Sequence, residues 1–339
     1  MSIKATVDAI SYWLPEAKLT NEEININHPE WSIDKISEKT GIIERGVASK
    51  SEFTSDIAVK VALLLFKEFQ IDKQKIDFII LCTQSPDYLL PTTACIIQDK
   101  LGLGKNIGAF DFNLGCSGFV YGLSIAKGLI LSGAAKNVLL ITAEMYTKYI
   151  NKNDKSNLTI FGDAAAATLI TLNGNGLKIN DFVFGTDGSG YQNLIVRNGG
   201  QVNRKLDGVD YFDDENNFIN NDNDLYMNGR EIFNFTAKNI PELINSVLIK
   251  NEVIKNNIDL YILHQANKFI LDFLRKKLDI EDEKFYIFIK NCGNTVSSTI
   301  PIAIKEALLE SKINSEKKVL IAGFGVGYSW ASTILGKLN

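Results

Sequence analysis

Short, wholly apolar runs alternate along most of the chain with longer stretches whose apolar residues recur at helical spacing. Residues 78–81, 138–141, 260–263 and 319–322 are the clearest of the short runs. They predict strands buried on both faces, because a strand with one wet face would alternate apolar and polar positions. The stretches from Cys116 to about residue 132 and from Asn294 to about residue 311 carry the helical period instead. Such alternation predicts an α/β fold.

The runs also repeat. Asp77 to Leu81 resembles Asp259 to Leu263, 182 positions later, and Val138 to Ile141 resembles Val319 to Ala322, 181 positions later. Each of these second strands precedes a small-residue segment, 162–169 in one case and 329–335 in the other. Between the echoes the order matches as well: strand 107–112 leads to Cys116 and its helix, and an expected strand 285–289 leads to Asn294 and its helix. Nearly equal offsets with one element order predict a duplicated strand–helix domain, with halves 1–171 and 172–339.

From residue 196 to 224 the composition turns to Asn, Asp and Gly. A segment this polar buries little apolar surface and is expected as an exposed insertion. Asp222-Asn223-Asp224 begins like a calcium loop, but Tyr226 and Met227 stand where that loop needs a ligand and a glycine, so a solvated loop is expected.

Composition narrows the function classes. With 339 residues, 45% of them apolar, the chain has material for a large core. A formal net charge of −4 excludes a general nucleic-acid binder while leaving room for a local basic patch. Residues 1–6 lack the pattern of a signal peptide, and Lys127 interrupts the longest apolar run, 119–131, before it could span a bilayer. The four cysteines, at 82, 95, 116 and 292, form no metal or disulfide spacing, so reduced thiols and a cytoplasmic location are expected.

Three residues stand out as chemistry. Cys116, in Asn113-Leu114-Gly115-Cys116-Ser117-Gly118-Phe119, lies between a strand and a helix, where unpaired amides and the helix dipole are expected to lower its pKa. Cys82 and Cys95 lie within apolar runs and suit buried structural positions better. Of the two histidines, His28 sits in a polar stretch and is expected in an exposed loop, whereas His264 ends an apolar strand, where open α/β sheets place their sites. Asn294, in Asn291-Cys292-Gly293-Asn294-Thr295, taken alone is a helix N-cap. In the duplicated plan it occupies the turn equivalent to that of Cys116, so the two could face each other with His264 beside them. The glycines of residues 323–327 follow a strand without the Lys-Ser/Thr of a P-loop, and a tight turn toward Cys116 is the better use of them.

These segments together resemble beta-ketoacyl-acyl-carrier-protein synthase III, a condensing enzyme of the thiolase fold. The resemblance runs through 40–45, 91–95, 116–119, 161–163, 227–229, the His264-Gln265-Ala266-Asn267 motif, Gly293-Asn294-Thr295 and the terminal glycine turn. It implies a duplicated five-layer αβαβα architecture. It implies that Cys116 accepts an acyl group from an acyl-coenzyme A or acyl-carrier-protein thioester. Malonyl-carrier protein then loses carbon dioxide, with His264 and Asn294 hydrogen-bonding its thioester carbonyl, and the carbanion attacks the acyl-Cys116. The backbone amides of Cys116 and Val326 form the implied oxyanion hole. Lys39, Leu90, Lys155, Met227, Gly229 and Asn267 are the implied substrate-binding positions. No metal or redox cofactor is implied, and a homodimer is, since the loop carrying Leu90 reaches a partner subunit in the family.

Three departures stand against that pattern. Lys35 and Lys39 replace the Trp and Arg of the family's coenzyme A clamp, Trp31 being displaced by about three inserted residues, and Lys155 replaces a second Arg. Lysine keeps the charge but loses the planar stacking of arginine, which weakens the expectation of coenzyme A as donor and leaves a carrier protein able to serve instead. Leu90 stands where a bulky aromatic is common, suggesting room for a longer or branched primer. Two alternatives share the resemblance: an acyltransferase making an ester or amide through the same acyl-cysteine, and a non-catalytic partner subunit.

Overall fold

The computed structural model describes residues 3–338. Nine strands join by hydrogen bonds: β1 (Ala5–Trp13), β2 (Phe78–Cys82), β3 (Gly108–Phe112), β4 (Asn137–Glu144), β5 (Ala164–Leu172), β6 (Leu177–Thr186), β7 (Leu260–Leu263), β8 (Val319–Gly325) and β9 (Ser329–Leu335). Their order is β7-β8-β9-β6-β1-β5-β4-β2-β3. Strand β1 pairs with β5 along nearly its whole length but meets β6 only at Thr6–Lys178 and Val7–Leu177. That two-pair seam divides the ladder into a five-stranded part and a four-stranded part.

Six helices cover these sheets: α1 (Thr54–Glu68), α2 (Thr93–Leu101), α3 (Gly118–Leu131), α4 (Gly229–Lys250), α5 (Lys268–Lys277) and α6 (Thr299–Leu309). Side chains of successive strand residues point to opposite faces, so each apolar run feeds two cores. In β4, Leu139 and Ile141 pack with Ile57, Val61 and Leu65 of α1, while Val138 and Leu140 pack with Phe119 and Leu123 of α3. In β8, Val319 and Ile321 join Ile300 and Ile304 of α6, while Leu320 and Ala322 join Leu243 of α4 and Leu271 of α5. The layers are therefore α1/α2, sheet, α3/α6, sheet, α4/α5, the implied αβαβα architecture. Gly118 makes the central layer possible at its tightest point, since a Cβ there would lie 2.2 Å from Cys82 Sγ.

The echoed runs occupy equivalent places: β2 with β7, β4 with β8, β5 with β9, α3 with α6. One expected element is missing. Residues 285–289 form no strand; only Phe285 bridges to Tyr261. The Gln265 side chain replaces further ladder bonds, accepting from Phe288 N at 2.8 Å and donating to Leu263 O at 2.6 Å. The polar insertion is mostly exposed, with a small ribbon of Tyr211–Phe212 and Phe218–Asn220. Among the described residues no His, Cys, Asp and Glu cluster suits a metal ion, including Asp222 and Asp224. No described helix is long and apolar enough to cross a membrane.

Candidate active site

Cys116, His264 and Asn294 each follow a segment that ends at the same side of the layered core, and all three border one cavity of about 800 Å³. Cys116 lies between β3 and α3, His264 directly after β7, and Asn294 after the 285–289 segment. Beside Cys116 the cavity is lined by Phe161, Leu194 and Met227, which pack in one apolar cluster with Tyr146, Leu225 and Val296. Exposed Lys35, Lys39, Lys155 and Arg230 also line it, a local basic rim on an acidic chain. Gly229 and Asn267 also line it.

The backbone amides of Cys116 and Val326 are both directed at the sulfur and act to lower the thiol pKa. Burial acts against them, helped by the Glu144 carboxyl, and the thiol is pushed up to about 12. The expected lowering of the Cys116 pKa is therefore overturned. Desolvation disfavours the thiolate more than two amides and the helix start favour it. The terminal glycines are placed as expected: a Cβ on Gly325 would lie 2.8 Å from Cys116 Cβ and Sγ. Only a bare backbone lets β8 bring the Val326 amide this close.

His264 is buried and its pKa is depressed to about 3, so its imidazole is neutral. Nδ1 lies 2.8 Å from the Thr299 hydroxyl, and the ring of Phe324 meets the imidazole edge-on at 5.7 Å. Asn294 does not cap α6 as a lone N-cap would. Its Oδ1 accepts from Val296 N at 2.9 Å, holding the 3-10 turn Val296–Ser298 that precedes the helix. Its backbone is tied to the other half, with Asn294 N donating to Ile160 O at 2.9 Å and Gly162 N donating to Asn294 O at 3.1 Å.

Several motif residues brace the site without bordering the sulfur. Arg45 is buried and donates to Asn21 Oδ1 and Thr159 O, each at 2.8 Å. Asp163 accepts from the amides of Ala48 and Thr147, each at 2.9 Å. Leu90 lies outside this chain's own cavity, 82% exposed beside exposed Tyr88 and Leu89. Two other expectations need correction. Cys95 is exposed, because α2 buries Thr93, Ala94, Ile97 and Leu101 on its other face. His28 is not an exposed loop residue. It caps the helix Asn21–Asn27 and stacks on Trp31, with centroids 4.1 Å apart and planes 7° from parallel. Lys155 Nζ lies 4.7 Å from the centroid of the same indole. Asn267 spends its side-chain oxygen on the Ile270 amide at 2.9 Å, capping α5.

Sequence reasoning missed three neighbours. Glu144 is fully buried, accepts from Gln84 N at 3.0 Å and Ser297 Oγ at 2.8 Å, and has its pKa raised to about 8 by desolvation. Tyr146 bonds Gln84 through its hydroxyl and packs beside Cys116. Thr299 sits in the first turn of α6. The signals were present but faint: an acid closing an apolar strand, and a hydroxyl five positions past Asn294.

Two family models match the chain: 3-oxoacyl-(acyl-carrier-protein) synthase III over residues 110–188, and the C-terminal part of the same family over 248–337. A Clostridium perfringens protein described as beta-ketoacyl-acyl-carrier-protein synthase III is 38% identical over 324 residues, covering 95% of this chain and 96% of its own. One of the same description from Fusobacterium nucleatum is 34% identical over 332 residues, with 97% of each covered. A crystal structure of a 3-oxoacyl-(acyl-carrier-protein) synthase III superposes with a TM-score of 0.95 at 44% identity, covering 98% of this chain and all of that one. A 3-oxoacyl-(acyl-carrier protein) synthase from Burkholderia xenovorans gives 0.90 at 32% identity, covering 99% and 95%.

Proposed function

The chain belongs to the beta-ketoacyl-acyl-carrier-protein synthase III family and is a condensing acyltransferase; from that premise we propose that Cys116, His264 and Asn294 carry its reaction. The thiol of Cys116 attacks an acyl thioester, a new carbon–sulfur bond forms, and the donor thiol leaves with the proton. The amides of Cys116 and Val326 receive the negative charge that builds on the carbonyl oxygen. A malonyl thioester on carrier protein then binds. Its carbon–carboxylate bond breaks to release carbon dioxide, and His264 and Asn294 donate to the enolate oxygen. The carbanion attacks the acyl-Cys116 carbonyl, giving the 3-oxoacyl product, and the departing sulfur recovers a proton. This sequence calls for no metal or redox cofactor, since charge moves only between carbonyl oxygens, carbon and sulfur.

The observation that carries the reading is the meeting of all three side chains on one cavity, apolar beside the sulfur and basic along its exposed rim. The apolar end suits an acyl chain, with Met227 and Gly229 along the way. Lys39 and Lys155 suit the phosphate of a pantetheine arm. Trp31 is 4% exposed, its indole stacked on His28 with Lys155 Nζ 4.7 Å from its centroid, which leaves no open face there for an adenine ring and favours carrier protein over coenzyme A as donor. Exposed Tyr88, Leu89 and Leu90 form an apolar loop suited to a second copy, the homodimer in which Leu90 would reach a partner's primer pocket. The proposed halves are 1–171 and 172–339, and four free thiols agree with a cytoplasmic setting. Intact mass after incubation with acyl-carrier protein and acyl-coenzyme A tests the centre of the reading. One acyl group should appear on the wild type and none on Cys116→Ala; an adduct persisting in the variant would put the nucleophile elsewhere.

A further inference from the structure

Thr299 touches neither the sulfur nor the cavity, yet its hydroxyl is the one group the described structure presents to His264 Nδ1. The same oxygen lies 3.1 Å from Val296 O, to which it donates when its proton turns that way. A hydroxyl has a single proton, so two arrangements exist. With the proton on Val296 O, Thr299 must accept from Nδ1–H, and Nε2 faces the cavity as a bare lone pair. With the proton directed at Nδ1, the imidazole carries its own proton on Nε2. Burial keeps the ring neutral, so it has one N–H to place and cannot donate from both nitrogens.

We propose that the Thr299 hydroxyl donates to His264 Nδ1 and thereby holds the imidazole as the Nε2–H tautomer that the condensation step requires. This rests on the assignment of His264 as a donor to the malonyl thioester. A bare Nε2 would set a lone pair against that carbonyl oxygen, repelling the charge it must receive. Thr299 is a positioning residue, acting through the imidazole. The 2.8 Å contact to Nδ1 is a hydrogen bond in either arrangement, and the donor role asked of Nε2 selects the one in which Thr299 donates. Its place in the first turn of a helix whose residues 299–305 are all buried fixes the oxygen relative to β7. Phe324, edge-on to the ring, restrains the imidazole from turning away.

The chain has two histidines, so protein labelled with nitrogen-15 at histidine gives two ring systems, separable by His28→Gln. At neutral pH the His264 ring should show a protonated Nε2 and an unprotonated Nδ1. The reverse pattern in the wild type overturns the proposal. The kinetic arm separates the two half-reactions. In Thr299→Val, formation of acyl-Cys116 should stay within about threefold of wild type, while carbon dioxide release from malonyl-carrier protein falls about 100-fold. Thr299→Ser, which keeps the hydroxyl, should restore most of that loss. Equal carbon dioxide release in Thr299→Val and wild type overturns the inference alone, provided His264→Ala has lost it. Retention of carbon dioxide release in His264→Ala overturns the assignment of His264 itself.

Discussion

Gly325→Ala adds one carbon at the point where β8 meets the nucleophile, and its consequence follows from distances. The new Cβ would stand 2.8 Å from both Cβ and Sγ of Cys116, and no other atom lies within 4 Å of it. Heavy atoms in comfortable contact are about 3.5–4.0 Å apart, so a separation of roughly 0.7–1.2 Å must be gained. Neither side yields easily. Gly325 is paired with Ser329 in the β8–β9 hairpin, and Ser117, beside Cys116, is bonded to Ser329 through their hydroxyls at 2.7 Å. A displacement of that size pulls the Val326 amide, one residue on, out of hydrogen-bonding range of the reacting oxygen. Overpacking of this kind costs about 1–3 kcal/mol of stability. Losing one oxyanion donor lowers the rate by about 10²–10³-fold. Rapid-quench acylation followed by intact mass reads the rate, and thermal unfolding reads the stability. Gly188→Ala, where a Cβ meets nothing within 4 Å, is the matched control and should behave as wild type. Acylation of Gly325→Ala within threefold of wild type would refute the reasoning, because it would mean the sulfur and the Val326 amide do not share one crowded position.

Two further outcomes are expected. Glu144 keeps its proton up to about pH 8 in the fold but loses it near its ordinary 4.5 when unfolded, so its contribution to stability is present below 4.5 and lost as pH rises through 8. Glu144→Gln does not titrate; its melting temperature relative to wild type should rise between pH 5 and pH 9, by the equivalent of about 3–5 kcal/mol at most, and an offset that is constant with pH would contradict this. Wild-type enzyme should acylate Cys116 at least tenfold faster from a carrier-protein thioester than from the matching coenzyme A thioester. His28→Ala, which uncovers one face of Trp31, should lower the KM for the coenzyme A form; equal rates from both donors in the wild type would show that the covered indole sets no preference.

The chain's own periodicity determined most of the architecture. Strands buried on both faces must be apolar throughout, so β2, β4, β7 and β8 announce themselves as continuous runs, and a duplicated fold announces itself through their repeat. Cys116, His264 and Asn294 were legible because each follows such a run at a polar or glycine-bounded break. Tertiary structure alone decided the rest, since it concerns pairs of groups far apart in the chain. Whether residues 285–289 form a strand depended on Gln265, which takes over the bonds a ladder would make. The sense of the Cys116 pKa shift depended on how completely water is excluded and on Glu144, neither of which a local motif encodes. Trp31 was visible as a residue, but its burial arises only when His28 and Lys155 fold against it. Thr299 is an unremarkable helix-start hydroxyl until β7 brings an imidazole within 2.8 Å. Burial pattern is written along a sequence because it is a property of each element; desolvation and proton placement are properties of a meeting point, and exist only once the elements meet.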